Sequence, residues 1–294
     1  MVTDREFVSG CLPERKDDAN KYSVGTLLCV CGSYSMAGAA ILCAKAALRM
    51  GAGMVRVALP ESIYPIVAVA VPEAVFVPLE ENEVGALSDS AVGEIIRYAN
   101  KSDAVLVGCG SKLCKDTVSI VTSLVYHTKA PLVIDADGIN ALAKHIDILR
   151  EREYPTILTP HEGEMSRLMG VSAEVIRKDR IAAAQSFCDE YDVVLALKGK
   201  HTIVAQKGKA PFVNPTGNSG MAVAGSGDVL AGMTAALVCQ GVECGAALAS
   251  AVYLHGLCGD IVATKLTKYS LLPTDIIETI PEALKEVLYL GRQM

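Results

Sequence analysis

Residues 218–232 read Asn-Ser-Gly-Met-Ala-Val-Ala-Gly-Ser-Gly-Asp-Val-Leu-Ala-Gly, and the second half of that string can do chemistry. Gly225, Ser226 and Gly227 place almost no side-chain bulk around backbone N–H groups that can converge on one point. A helical pattern over 229–239 follows and adds the positive end of its dipole, so the segment suits a phosphate. Asp228 stands where that helix is predicted to begin. A carboxylate beside a phosphate repels it, so an arrangement that keeps one there can use it as a base on a hydroxyl facing the phosphate. The same residues also suit a plain turn with an acidic helix cap.

Other polar clusters fall at the ends of predicted strands, where open α/β sheets bind ligands. They are Gly32-Ser33, Gly108-Cys109-Gly110-Ser111, Asp135-Ala136-Asp137 and Thr159-Pro160-His161-Glu162-Gly163-Glu164. His161 can hydrogen-bond a ligand or be a satisfied polar group. Glu164 can hold Mg²⁺ through water beside phosphates or simply favour a helix N-terminus. Asp135 and Asp137, with Asn140 after them, can organise Mg²⁺ or waters, or serve as turn and cap residues. Lys198-Gly199-Lys200-His201-Thr202 offers cations and free N–H groups to phosphates; a Lys/Gly hairpin that keeps a turn soluble looks the same. His255, inside an Ala-rich helical pattern, reads as a buried structural histidine. Neither a P-loop nor a Gly-x-Gly-x-x-Gly after a strand occurs, so a nucleotide would be held another way.

The elements that must position these clusters alternate as βαβ units. Strands are predicted over 26–30, 54–58, 74–77, 104–107, 132–134 and 156–158. Helices are predicted over 39–50, 89–99, 115–126 and 162–169. Three close strands, 193–197, 202–205 and 210–213, read as an antiparallel meander at one sheet edge. Helical patterns at 229–239, 244–264 and 274–288 finish the chain. The expectation is one α/β domain over residues 1–294: a mostly parallel sheet with an antiparallel edge meander.

Composition bounds the partners. The 294 residues are 51% hydrophobic and 20% charged with net charge −6, which disfavours a general nucleic-acid or membrane-surface binder. Trp is absent and aromatics make up 5%, which argues against a base-stacking platform. The ten cysteines include no Cys-x-x-Cys pair. Cys29 and Cys31 alternate on a strand, and Cys43, Cys188, Cys239 and Cys258 have apolar helical surroundings. They read as small buried hydrophobes in a reducing cytosol, not as disulfides or metal ligands. The start of the chain has no signal-like apolar core, and the apolar stretch 244–258 is too short to span a bilayer. A soluble cytoplasmic protein is expected, with no nucleic-acid or membrane partner. A homo-oligomer is also expected, the Ala-rich late helices being available to pack between subunits.

Several of these motifs, in this order, resemble the NAD(P)H-hydrate dehydratases of the ribokinase-like superfamily. Gly32-Ser33, Gly38-Ala39 and residues 46–53 resemble the family's opening. Residues 135–140 resemble its acidic motif; Thr159-Pro160-His161 with Gly163-Glu164-Met165 resembles its Thr-Pro-His-x-Gly-Glu-Met signature. Lys198-Gly199 with Thr202 resembles its phosphate-binding turn, and residues 217–232 resemble its hallmark. The similarity runs from about Lys21 to Pro281. Departures are Asn20-Lys21-Tyr22 for His-Lys-Gly, Cys109 for a Pro, Glu162 for a common Pro, and Ser226 for a Thr.

The resemblance implies a three-layer α/β/α sandwich and a repair reaction, the nucleotide-dependent dehydration of the S-form hydrates of NADH and NADPH. The ring hydroxyl would be phosphorylated by ADP or ATP with Mg²⁺ present, and phosphate would leave. Asp228, Gly225, Ser226 and Gly227 would be catalytic. Ala39, Gly110, His161, Asn218 and Asp228 would contact the hydrate. Lys198, Gly199, Lys200, His201, Thr202 and Gly227 would contact the nucleotide. Glu164 would hold Mg²⁺ through water. The family's epimerase partner would sit on a separate chain. The alternative is a ribokinase-like kinase of a thiazole or pyrimidine alcohol, using the same anion hole and Asp.

Overall fold

Thr26–Val30 (β1) is buried along its whole length, as a strand with parallel neighbours on both sides and helices on both faces must be. In this computed structural model, which describes residues 1–290, β1 lies inside a nine-stranded sheet. The other strands are β2 (Met54–Pro60), β3 (Val75–Leu79), β4 (Ala104–Val107), β5 (Leu132–Ile134), β6 (Thr156–Leu158), β7 (Val194–Leu197), β8 (Ile203–Gln206) and β9 (Lys209–Val213). Their order is β3-β2-β1-β4-β5-β6-β7-β8-β9. Pairs from β3 through to β7 are parallel, and β7–β8 and β8–β9 are antiparallel. The antiparallel edge meander is therefore present. The 206–209 turn that joins β8 to β9 contains Gly208 in the left-handed region, as a tight hairpin requires.

The helices among the described residues are α1 (Arg5–Cys11), α2 (Lys21–Val24), α3 (Ala37–Arg49), α4 (Tyr64–Ala70), α5 (Val92–Ala99), α6 (Lys115–His127), α7 (Asp137–Leu142), α8 (Glu162–Met169), α9 (Ala173–Lys178), α10 (Arg180–Tyr191), α11 (Ser226–Cys239), α12 (Cys244–Lys265) and α13 (Pro273–Leu290). Alternate residues of each strand send side chains to opposite faces, so two cores form. Leu27, Cys29 and Cys31 join α3, α11, α12 and α13 on one face. Leu28 and Val30 join α5, α6, α8 and α10 on the other. The result is the expected three-layer sandwich.

Two local differences from the sequence reading matter. Helix α11 begins at Ser226, three residues before the predicted start, because Gly225 takes the left-handed conformation (φ 94°) at its N-cap. Asp228 thus lies inside the first turn rather than at the cap. Helices α1, α2, α4, α7, α9 and α10 were not read from the sequence. In α4, the β-branched Ile66, Val67 and Val69 mask a helix whose start is marked by Pro65.

Helix α11 crosses α3 closely. A Cβ at Gly232 would stand 2.4 Å from the Cys43 carbonyl oxygen, so only glycine permits this approach. Helix α12 is long and apolar enough to cross a membrane. In this fold most of it is buried instead, between α11, α13 and the sheet. Its alanine face is used within the protomer, so a subunit interface would need another surface.

Candidate active site

The ends of three parallel strands and the start of α11 meet around one cavity of about 1000 Å³. Asp135 follows β5, His161 follows β6 and Lys198 follows β7; Gly225, Ser226, Gly227 and Asp228 close the fourth side. This is the carboxyl edge of the sheet, where the sequence placed the site.

Asp135 is fully buried and satisfied. Its Oδ1 accepts from Thr159 Oγ1 at 2.6 Å and from Lys198 Nζ at 2.7 Å. Lys198 also lies 3.8 Å from Glu164 Oε2, and these two carboxylates hold its pKa above the ordinary lysine value in spite of burial. The site therefore keeps a fixed positive charge. A Cβ on Gly227 would stand 3.4 Å from that ammonium and 3.6 Å from Asp135 Oδ2, so the α11 turn faces it directly.

In the first turn of α11 the N–H groups of Gly227 and Asp228 have no helical carbonyl to reach. The Ser226 N–H is engaged by the Val223 carbonyl at 3.3 Å. Ser226 Oγ lies 3.3 Å from His255 Nε2. Burial pushes the His255 pKa down to about 4, so at neutral pH its ring is uncharged and positions the serine. The sequence reading of a buried structural histidine holds, and the structure adds that it braces the loop in front of Asp228.

Asp228 faces the cavity with its pKa pushed up to about 8. Burial is the main cause, with the Cys43 and Asp135 side chains adding repulsion; a Cys109 hydrogen bond and Lys198 offset only part of this. A carboxyl group poised near neutrality is what a general base needs.

The 198–202 loop lines the same cavity. Arg180, on a helix the sequence did not reveal, braces it from behind. Its guanidinium donates to the carbonyls of Leu197 at 2.9 Å, Lys198 at 3.2 Å and Lys200 at 2.7 Å. Glu162 pairs with Arg177 at 2.9 Å and Arg180 at 3.4 Å, so the residue in place of the common Pro anchors this brace. His201 adopts a left-handed conformation (φ 54°), which turns the loop outward.

Other predicted positions resolve individually. His161 caps α8: its Nδ1 accepts from the N–H groups of Gly163 (3.0 Å) and Glu164 (3.1 Å), which leaves the ring hydrogen at Nε2, on a half-exposed edge at the cavity. Both readings of His161, satisfied polar group and ligand donor, are thus compatible, the first being met by its cap on α8. Glu164 completes the capping box by accepting from the His161 N–H at 2.8 Å. It does not line the cavity, and burial raises its pKa. Asp137 accepts from the Lys112 N–H at 2.9 Å, a loop role.

Asn218 lines the cavity, but its amide is engaged: Nδ2 donates to Gly259 O and Asp260 Oδ1, and Oδ1 accepts from the Gly220 N–H, each at 2.9 Å. Ala39 and Gly110 do not line the main cavity; they meet each other, a Cβ at Gly110 coming within 2.6 Å of the Ala39 methyl. Sequence reasoning missed Arg180 and the carboxylate-buttressing role of Thr159. The signal for Thr159 was its place in the strand-end motif; Arg180 left none.

The NAD(P)H-hydrate dehydratase family profile, Carb_kinase, matches residues 27–282. The chain is 39% identical over 274 residues to a bifunctional NAD(P)H-hydrate repair enzyme, Nnr, of Thermofilum pendens. That alignment covers 93% of this chain and 52% of the relative, and this chain spans about half the length of several such bifunctional relatives. Among solved structures, an ADP/ATP-dependent NAD(P)H-hydrate dehydratase of Bacillus subtilis, co-crystallised with ATP and Mg²⁺, matches with a TM-score of 0.84 and 29% identity. It covers 97% of this chain and 98% of that one. A ribokinase-like superfamily protein of Enterococcus faecalis matches with a TM-score of 0.85 and 26% identity, over 97% of this chain and 95% of that one. By this match, fold and ordered motifs, the chain belongs to the NAD(P)H-hydrate dehydratase family.

Proposed function

We propose that the chain dehydrates the S-form hydrates of NADH and NADPH at the expense of ADP or ATP, residues 1–294 acting as a single domain. The observation that carries this reading is Asp228, a carboxyl group held near pKa 8 in the first turn of α11, beside free backbone N–H groups and the Lys198 cation.

Hydroxide is a poor leaving group and phosphate a good one, so the hydrate's ring hydroxyl must be activated. In this reading the hydrate lies over Asp228 with His161 Nε2 donating to it. Asp228 takes the hydroxyl proton as the nucleotide's terminal phosphoryl group arrives. The N–H groups of Gly225, Gly227 and Asp228, with Lys198, hold the charge that develops on the phosphoryl oxygens. The lone pair of the ring nitrogen then expels phosphate to leave an iminium, and loss of a proton from the neighbouring ring carbon restores the ring's carbon–carbon double bond. The 198–202 loop holds the nucleotide, with Lys200, His201 and the N–H groups of the turn as donors.

Mg²⁺ belongs to this proposal. Glu164 stands behind the cavity wall, with Oε2 taken by the His161 N–H and beside Lys198 and with Oε1 3.4 Å from His161 Nε2, so it would reach the ion only through water. The ion would neutralise phosphate charge when bound.

The test mixes the purified chain with NADH hydrate, Mg²⁺ and either ADP or ATP and follows recovery of the reduced-nicotinamide absorbance. Recovery is expected with at least one nucleotide, and Asp228→Asn is expected to lower it by roughly 10³-fold or more. No recovery from folded, nucleotide-bound protein would overturn the proposal.

A further inference from the structure

Three of the ten cysteines converge directly behind Asp228. Cys31 follows β1, Cys43 lies on α3, and Cys109 sits in the turn after β4. Each is 0% exposed, and their sulfurs all lie within 4.8 Å of one another. The Cys109 sulfur also shares a 4.8 Å neighbourhood with carboxylate oxygens of Asp135 and Asp228. Two overlapping donor sets thus meet at Cys109, sulfur on the inside and oxygen on the cavity side.

Packing alone does not ask for this. Cys188, Cys239 and Cys258 are also buried, and burial pushes their thiols up to about 12, with a nearby carboxylate adding to it in each case. The three cluster thiols instead hydrogen-bond one another: against burial, the Cys109 and Cys31 thiols directed at its sulfur bring Cys43 down to about 6, while Cys31 and Cys109 are themselves held well above the ordinary thiol value. The cluster has few other partners: Cys43 Sγ is 3.4 Å from the Asp228 carbonyl and Cys109 Sγ is 3.7 Å from Asp135 Oδ2.

We propose that Cys31, Cys43 and Cys109 form a three-sulfur binding site for a thiophilic divalent cation of the zinc class, and that occupancy switches Asp228 off by taking the thiol proton of Cys109, whose sulfur neighbours the Asp228 carboxylate. Thiolate sulfurs bind zinc at about 2.3 Å, which sets tetrahedral S···S edges of about 3.8 Å. The three sulfurs reach that spacing by closing about 1 Å or less. No electron is transferred. The ion displaces the thiol protons, three per ion from fully protonated thiols, and Zn–S bonds replace S–H bonds. The bound unit carries net negative charge, which Lys198 partly offsets. Because protons leave, binding tightens as pH rises. Mg²⁺, a hard cation that prefers oxygen, does not compete for the sulfurs. The ion enters from the cavity, where Asp135 and Asp228 stand in the wall. Binding at the thiols is independent of the proposed reaction; only inhibition rests on Asp228 being its base.

The experiment titrates the full chain, kept metal-free and thiol-reduced with a phosphine, with Co²⁺ as a coloured reporter of tetrahedral thiolate coordination. The expected result is one equivalent bound, with intense thiolate-to-cobalt charge-transfer bands that Zn²⁺ abolishes. Cys31→Ala is expected to lose those bands and Cys188→Ala to keep them. In the dehydration assay with Mg²⁺, Zn²⁺ is expected to inhibit the wild type reversibly on adding a chelator. Cys31→Ala keeps its turnover and resists zinc by roughly 100-fold or more, since loss of an outer-shell partner alone costs about 10–100-fold. Should Cys31→Ala not fold, Cys31→Ser serves, its hydroxyl being a poor zinc ligand. Absence of charge-transfer bands, or bands that persist unchanged without Cys31, would overturn the site. Cobalt bands without any hydrate dehydration would leave the thiol site standing and count against the proposed reaction. Dehydration without cobalt bands would do the reverse.

Discussion

Asp228 is held against its own charge. Its carboxyl pKa is about 8 in the folded chain and near 3.8 when free, so between those values the native state binds a proton that the unfolded chain has lost. Stability from this group therefore falls as pH rises through that window. Asp228→Asn is expected to raise the melting temperature less at pH 5 than at pH 9, because pH 5 lies near the low end of that window. At pH 9 it should stabilise by about 1–2 kcal/mol, read as roughly 2–4 °C per kcal/mol for a chain of this size. A variant that melts lower at pH 9 would contradict this account. For the proposed reaction, kcat/KM is expected to rise with pH and level off above about 8, the pKa of the free protein's base. His255 behaves oppositely: its pKa is depressed to about 4, so the stability it contributes is present above the free value of 6.5 and is lost as pH falls through 4. His255→Asn should flatten acid unfolding in that range, which melting scans at stepped pH would show. Asp228 and the glycines were legible because they are contiguous. The thiol cluster was not, because Cys31, Cys43 and Cys109 come from three separate elements, and each alone looks like a small hydrophobe.

Two elements carry the site, and each depends on one residue that sets its backbone path. The α11 turn depends on Gly225, whose φ of 94° an L side chain adopts only under strain and where a Cβ would come within 2.6 Å of Leu42 Cδ1. Gly225→Ala is expected to destabilise the fold by about 1–3 kcal/mol and to depress turnover by more than the lost stability explains, which denaturant melts run beside the assay would separate. The 198–202 loop depends on Arg180. Arg180→Ala frees the carbonyls of Leu197, Lys198 and Lys200 and is expected to raise the nucleotide KM by roughly 10-fold, about the 1.4 kcal/mol of a charge-assisted hydrogen bond. The substrate affinity should change far less. The strands at 26–30, 104–107, 132–134 and 156–158 were read to the residue, because buried parallel strands are short unbroken apolar runs. Helix α10, which brings Arg180, was missed because its buried residues, Ala184, Phe187 and Cys188, make too narrow a stripe to stand out.

The whole molecule is acidic, with net charge −6, while a nucleotide and a dinucleotide hydrate are anions. The cavity answers locally with Lys198, Lys200 and Lys268 in its lining. Added salt is therefore expected to raise the nucleotide KM, since screening weakens the local attraction within a Debye length of about 8–10 Å; a KM that falls with salt would mean that the overall charge dominates. The layered fold was legible in the alternation of strand and helix, whereas the inward packing of α12's alanines was not. One face of the sheet is covered by α3 together with α11, α12 and α13, and the last three come from the end of the chain. A ribosome makes that part of the cover last. For the time needed to add residues 226–290, the growing chain presents a wide greasy sheet face to the cell, and then a segment apolar enough to be mistaken for a membrane anchor. Holding by a nascent-chain chaperone is therefore expected during synthesis. A fragment stopped before Ser226 should collect as inclusion bodies even though every strand of its sheet is present.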